Sequence, residues 1–376
     1  MEQVYNPERR ELAQEYNTQK KRYQIYKLIF NLLFWSGFIF FNLGQKIYQG
    51  LVVKLPFFDL RLSVFIVLTY LFYSLLDWSL NYILFYQLAQ EYKLSNQSPQ
   101  DWLFDKLKMS ILNILFLYLA ARVFLTFSSW YGGAWWIGFS IVAILFTVLL
   151  NFLFPVLIFP IFFELSPYPE TPLRSRLMQL FSRANVEVAD IYEFDLSSKR
   201  NSANAAVMGM GRTRKIILGD NLTEKYSNDE IEAVLAHEIA HHAHGDIFKL
   251  LFLQLGSLLT ITFTLSTLWQ PLVEYLGYNN PYGIIILPLF MITFSGLDWL
   301  LSPIELYLQR KTERAADDFA LDLIEEPTKL GTALAKLADE ALVELKLSRY
   351  QLLFKASHPA IDERVKKALQ WSEEQE

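Results

Sequence analysis

Cysteine is missing from all 376 residues, so the chain forms no disulfide, has no thiol nucleophile and offers no thiolate to a metal. Any metal must take nitrogen and oxygen ligands. Histidine is scarce as well, and four of the five fall in one stretch, "AHEIAHHAHGD" from Ala236 to Asp246. Charge is thin: 19% of the residues are Asp, Glu, Lys or Arg, the net is −5, and no long basic run exists to grip a nucleic acid. What the chain has instead is apolar surface, with 53% hydrophobic and 16% aromatic residues and a positive mean hydropathy. That exceeds what one ordinary soluble domain can bury, and it reads as a membrane protein.

Apolar runs long enough to cross a bilayer lie at 24–43, 62–86, 108–128, 134–163, 247–270 and 283–304, which makes about six spans. The first follows a polar, charged segment, "NPERRELAQEYNTQKKRYQ", so Met1 is not expected to open a cleavable signal peptide. Lys and Arg crowd the segment before the first span, the 164–246 loop (nine) and the tail after the last span (eleven). The 44–61 loop has three and the 271–282 loop none. The basic side is the cytoplasmic side, which puts both termini and the histidine cluster there. The membrane itself is a bacterial cytoplasmic membrane or, in a eukaryote, that of the endoplasmic reticulum. Asp77, Asn113, Asn151 and Asp298 are costly in lipid and are expected to face a wet interior.

Between the fourth and fifth spans the texture becomes that of a folded domain. The linker "ELSPYPETP" breaks the preceding helix, and Thr171 with Pro172 opens a new one carrying an apolar stripe at Leu173, Leu177, Leu180 and Ala184. The segments "DIYEFDL", "NAAVMGM" and "RKIILGD" are rich in β-formers, with "GRT" as a tight connection between the last two. Ser227 and Glu230 then form a capping box for the helix that carries the histidines. The expected fold is mainly α: a polytopic membrane helix bundle of about six spans with a cytosolic region that contains a small β-sheet and the histidine helix. Its divisions are a four-span bundle at 1–165, the cytosolic region at 166–246, two further spans at 247–304 and a C-terminal helical region at 305–376.

His237, Glu238 and His241 form H-E-x-x-H. On a helix, residues i and i+4 share one face, so the two imidazoles converge on one cation while Glu238 reaches a water bound to it. His244, at i+7, returns nearly to the face of His237 and competes as a ligand; His242 points elsewhere. A catalytic zinc needs a third protein ligand and an open position. Downstream, "RKTERAADDFALDL" offers Glu313 as that ligand and Asp317, one turn on, as acceptor of a hydrogen bond from a ligand imidazole. By itself that segment reads as an ordinary charged helix; paired with H-E-x-x-H it reads as half of a metal site.

In its motifs and their order the chain resembles the integral-membrane CAAX prenyl proteases. Their H-E-x-x-H, E-x-x-A-D and H-P-x-x-x-E-R read here "HEIAH", "ERAAD" and "HPAIDER". Two further blocks are similar, "FPVLIFPIFFELSPYPETPLR" and "SSKRNSANAAVMGMGRTRKIILGDNL". The resemblance implies that 166–246 is a zincin-type protease region, with one Zn²⁺ per chain on His237, His241 and Glu313, Glu238 as general base and Asp317 behind the ligands. It implies that His358 faces the substrate and stabilises the oxyanion. Outside the resemblance His358 reads as a helix-capping residue before Pro359. Asn204 falls on the strand edge that pairs with substrate, and Arg364 is either structural or a contact to a substrate carboxylate. The implied partners are the lipid bilayer and a peptide or protein substrate, prenylated in CAAX processing, with no nucleic acid.

Two departures qualify the resemblance. The eukaryotic members have seven spans, and the segment like their second is the first here, so a less complete intramembrane chamber is expected. "HEIAHHAHGD" also ends like the HtpX-like membrane proteases, which degrade damaged membrane proteins and supply a second reading of the substrate. Outside proteolysis, a zinc-stabilised scaffold would have no need of Glu238 beside an open coordination position, and a transporter would keep its activity on losing zinc.

Overall fold

The computed structural model describes residues 4–209, 211 and 214–371. A helix of 34 residues, Pro7–Phe40, opens the chain; the Asn6 side chain accepts from the Arg9 N–H and Pro7 needs no donor in the first turn. Its N-terminal half is charged. From Ile25 onward it bares Leu28, Ile29, Leu32 and Leu33, as a surface in contact with lipid does. At Asn42, in the left-handed region (φ 51°), the chain bends by 53° into Leu43–Lys54.

The six apolar runs of the sequence fall on five helical stretches: this bent pair, Phe58–Glu91, Pro99–Phe162, Asp246–Tyr275 and Ile284–Leu323. The runs 108–128 and 134–163 share Pro99–Phe162 because that stretch folds back at Gly132–Ala134, where Gly132 has φ 53°. Phe116 meets Phe146 at 5.4 Å and Phe124 meets Trp135 at 4.9 Å, so the two legs run antiparallel. Their approach needs glycine: a Cβ on Gly138 would lie 2.1 Å from the Phe127 ring. Leu62, Phe65, Phe124, Trp135, Trp269 and Phe290 form the buried centre of the bundle.

Asn151 and Asp298 border an open cavity of about 610 Å³ between these helices, which they share with Gln254, Glu305 and Gln309 and with an apolar wall that includes Leu250, Leu258 and Phe294. Asp77 is paired with Lys27 at 3.2 Å and held by Tyr73 and Asn81, and Asn113 donates to the Tyr70 hydroxyl. Each intramembrane polar group named from the sequence thus has a partner or a cavity.

The second core lies under a four-stranded sheet. Its strands are β1 (Leu165–Pro167), β2 (Asp190–Phe194), β3 (Ala205–Met208) and β4 (Lys215–Gly219), in the order β1-β2-β4-β3, with only β2 and β4 parallel. Three of these coincide with the expected strands. β1 lies in what reads as linker, because Pro167 needs no donor at an edge strand. Of the "GRT" connection, Arg212 and Thr213 lie outside the described residues. Thr171 caps Pro172–Arg183 as expected, and Leu177 and Leu180 of its stripe are fully buried, each contributing roughly 1.5–3 kcal/mol. They share a core with Ile191, Ile216 and Leu218 of the sheet, Leu235 and Ala236 of the histidine helix, and Ala320, Leu330 and Val365 of the C-terminal region.

The first helix ties the two parts together. Arg10 pairs with Asp339, Arg9 donates to the Asp339 and Glu340 carbonyls, and Asn17 donates to the Leu342 carbonyl.

Candidate metal centre

The helix Asn228–Ala243 starts at the Ser227/Glu230 capping box and buries Ile231, Leu235, Ala236 and Ile239 on one side. That burial leaves His237 and His241 directed at the long helix Leu287–Leu323, whose last turns carry Glu313 and Asp317, and Glu238 at the edge of the cavity beside them. Nε2 of His237 lies 3.3 Å from Oε2 of Glu313, and Nε2 of His241 lies 3.4 Å from its Oε1. One ligand atom from each of the three side chains falls within 4.8 Å of the others.

These separations fit a metal. A tetrahedron with bonds of ~2.0–2.1 Å has edges of about 3.3–3.4 Å. Oε2 of Glu313 is buried and receives no hydrogen bond, which is costly for a carboxylate unless a cation takes the proton's place.

The other ring nitrogens are held. Nδ1 of His237 lies 2.9 Å from Asp317, and Nδ1 of His241 lies 3.0 Å from Asp246, so in both rings Nε2 is the nitrogen that faces Glu313. Sequence reasoning anticipated Asp317 and missed Asp246. Asp246 lies past the end of the histidine helix, and only the left-handed turn at Gly245 (φ 65°) brings its carboxylate back to His241. The "HGD" ending carried that signal. Arg364 closes the back of the site: its Nε and Nη2 donate to the two Asp317 oxygens at 2.8 and 2.7 Å, and its Nη2 lies 3.4 Å from His237.

His358 arrives from the C-terminal region, with Nε2 3.3 Å from Oε1 of Glu313 and a half-exposed side chain. Ser357 Oγ lies 2.8 Å from its Nδ1, and Arg310 holds the preceding loop through the Ala356 carbonyl. Asn204 is exposed just before β3. Its loop is held by Asn221, which donates to the Arg200 and Ser202 carbonyls, and by Glu340, which accepts from Ala203 N–H. A cavity of about 120 Å³ brings Asn204, His237, Glu238, His358 and Arg364 together, with Leu330, Leu334 and Leu337 as an apolar wall. Every site residue named from the sequence therefore borders one space or stands directly behind it. His244 does not: its ring packs edge-on against Phe319 at 5.2 Å.

Burial opposes charge on His237, yet the Asp317 and Glu313 carboxylates beside it outweigh burial and push it up to about 9 in the metal-free site. Burial raises Glu238 above the usual carboxylate range, and the neighbouring imidazoles only partly offset that. A carboxylate so tuned is a better proton acceptor than an exposed one.

Residues 167–372 match the family model of peptidase family M48, and residues 1–164 match that of the CAAX prenyl protease N-terminal region, described as five membrane helices. The chain belongs to peptidase family M48. It is a membrane metalloprotease of the CAAX prenyl protease type. Within 1–164 the structure has five helices of twelve or more residues, Pro7–Phe40, Leu43–Lys54, Phe58–Asn81, Pro99–Tyr131 and Trp135–Leu153, the number in that description. Among its relatives, the "Uncharacterized metalloprotease YhfN" of Bacillus subtilis is 26% identical, with 91% of this chain and 84% of that one aligned. The CAAX prenyl protease 1 of Saccharomyces cerevisiae is 26% identical over 94% of this chain and 84% of its own length. A rice homologue is 29% identical, but the match spans only 61% of this chain and 54% of that protein. The crystal structure of Ste24p from S. mikatae superposes with a TM-score of 0.88, covering 97% of this chain and 90% of that one at 22% identity, and thus shares the fold.

Proposed function

We propose that this metalloprotease is a zinc endopeptidase with His237, His241 and Glu313 as ligands, Glu238 as general base, and a peptide substrate laid along β3. The observation that carries the reading is the convergence of the two Nε2 atoms on the Glu313 carboxylate, at 3.3 and 3.4 Å, with Glu238 bordering the same cavity as His237.

Zinc bound there supplies Lewis acidity, which polarises a scissile carbonyl and acidifies water toward neutrality. Glu238 takes the proton of the attacking water and returns it to the departing amine. His358, oriented by Ser357, donates to the carbonyl oxygen as negative charge gathers on it. Asp317 and Asp246 hold the ligand rings and keep their Nε2 lone pairs free. Arg364 takes the structural of its two expected roles, since two of its donors are committed to Asp317. Asn204 orients the substrate backbone at the edge of β3.

In this reading residues 1–165 and 247–304 are the membrane bundle, while 166–246 and 305–376 build the protease on the cytoplasmic side. The substrates are peptides or proteins at the membrane surface, prenylated CAAX termini first among them, as the relatives' names suggest. The test is to incubate the purified protein with matched farnesylated and unmodified CAAX peptides and locate the cut by mass spectrometry. Cleavage three residues from the end of the farnesylated peptide alone is the expected result. Equal cleavage of both peptides would instead favour a quality-control protease, and cleavage of neither would remove the CAAX assignment.

A further inference from the structure

The sheet ends at β3, whose outer side is the free edge of the site. Gly219 N–H donates to the Asn204 carbonyl at 2.9 Å, which makes 204/219 a hydrogen-bonded pair of the antiparallel ladder. By alternation, Ala206 opposite Ile217 and Met208 opposite Lys215 are the next such pairs. The N–H and C=O groups of Ala205 and Val207 therefore point away from β4, toward any peptide added to the edge. One of these four groups is already engaged. The ring of His242 reaches across from the histidine helix and places Nε2 at 3.1 Å from the Val207 carbonyl, to which it can only donate.

We propose that His242, which no role above includes, is a positioning residue that sets the register of the bound peptide; the proposal rests on the reading of β3 as the substrate edge. A peptide on this edge exchanges both backbone bonds with Ala205. At Val207 it finds the N–H open and the C=O closed, so continued pairing would leave a peptide N–H without an acceptor, and the ladder stops there. The same bond ties β3 to the helix of Glu238, four residues earlier, and thereby fixes the height of the ladder relative to the base.

Freeing the Val207 carbonyl completes a second full pair two residues along. A slip of two residues keeps every peptide side chain on its original face, whereas a slip of one would reverse them all. Loss of His242 should thus allow this displacement and no other.

The experiment compares His242→Phe and His242→Gln with the wild-type chain on a farnesylated CAAX peptide and on casein, with metal content and thermal midpoint measured alongside. His242→Phe should keep its metal, lower kcat several-fold with KM unchanged or reduced, and give a second product displaced by two residues at a tenth or more of the total. The side-chain amide of His242→Gln should restore a single cut. Wild-type fidelity and kcat in His242→Phe, or products displaced by one residue, would overturn the proposal, as would a second product that persists in His242→Gln. Asn204→Ala separates the two readings. If it also leaves KM and the cut unchanged, the edge-strand reading fails with the proposal; if it disturbs them while both His242 variants behave as wild type, only the role of His242 falls.

Discussion

Arg364 and Asp317 meet through two parallel bonds of 2.8 and 2.7 Å, and both side chains are buried directly behind His237. The pair joins the C-terminal helix Ile361–Gln370 to the long helix that carries Glu313. Removing Arg364 leaves the buried Asp317 carboxylate with the His237 ring as its remaining partner, and removing Asp317 takes from the buried guanidinium the acceptor of both bonds. Arg364→Met should therefore destabilise the protein by about 3–5 kcal/mol in denaturant unfolding. Asp317→Asn should lower metal affinity by roughly 10- to 100-fold, read by chelator competition. Wild-type values for both variants would show that the pair is not coupled to the centre.

Glu238→Gln spares all three candidate ligands and removes the base. Metal content should stay at about one ion per chain, while turnover falls by at least ~10²-fold. His241→Ala and Glu313→Ala should instead lose metal. Elemental analysis and a peptide assay check both statements, and full occupancy in Glu313→Ala would require a different third ligand.

Metal removal exposes the protonation of His237. In the stripped site His237 holds its proton up to about pH 9. A ligand imidazole must be neutral, so metal uptake at pH 7.5 should release about one proton, and affinity should rise about tenfold per pH unit up to that value. Titration calorimetry in buffers of different ionisation enthalpy measures the release. The same proton stabilises the stripped fold: the folded value exceeds the ordinary 6.5, so the contribution is complete below pH 6.5 and is lost as pH climbs through about 9. A thermal midpoint of the stripped protein that rises between pH 6.5 and 9 would contradict this sign.

Asn204 and His358 border one cavity but should fail differently. Asn204→Ala acts on binding and should raise KM or blur the cut. His358→Ala removes a donor used chiefly as the oxyanion forms, and should depress kcat by roughly 10²- to 10³-fold with little change in KM. If His358→Ala lowers the thermal midpoint and leaves kcat alone, the histidine is a cap before Pro359.

Tags at either terminus should be reachable from the cytoplasmic side only, and a reporter in the 271–282 loop from the opposite side. Protease protection in vesicles of known orientation distinguishes these. A protected terminus in cytoplasmic-side-out vesicles would refute the assigned orientation.

Much of the site was legible because its information is local. The i, i+4 spacing of His237 and His241 requires only a helix, as does the Glu313–Asp317 turn. Asp246 was not legible, because its approach to His241 depends on a single left-handed residue beyond the helix end. His244 illustrates the converse: helical periodicity returns it toward the face of His237, but the helix reaches its cap at that residue and Phe319 takes the ring. The hairpin shows the same limit, since hydropathy marks the runs 108–128 and 134–163 without revealing that they pack on each other as antiparallel legs folded at Gly132.

By itself the sequence determined the chemical inventory: nitrogen and oxygen donors in the absence of cysteine, a glutamate next to a candidate ligand histidine, and apolar runs that place a protease at a membrane. Only the tertiary structure decided how segments distant along the chain meet. Asn204, Glu238, Glu313, His358 and Arg364 come from separate elements, and no periodicity relates them. Their convergence follows from burying Leu177, Leu235, Ala320, Leu330 and Val365 in one core, a packing solution that fixes distances to within an ångström and leaves no trace in the spacing of the residues it joins.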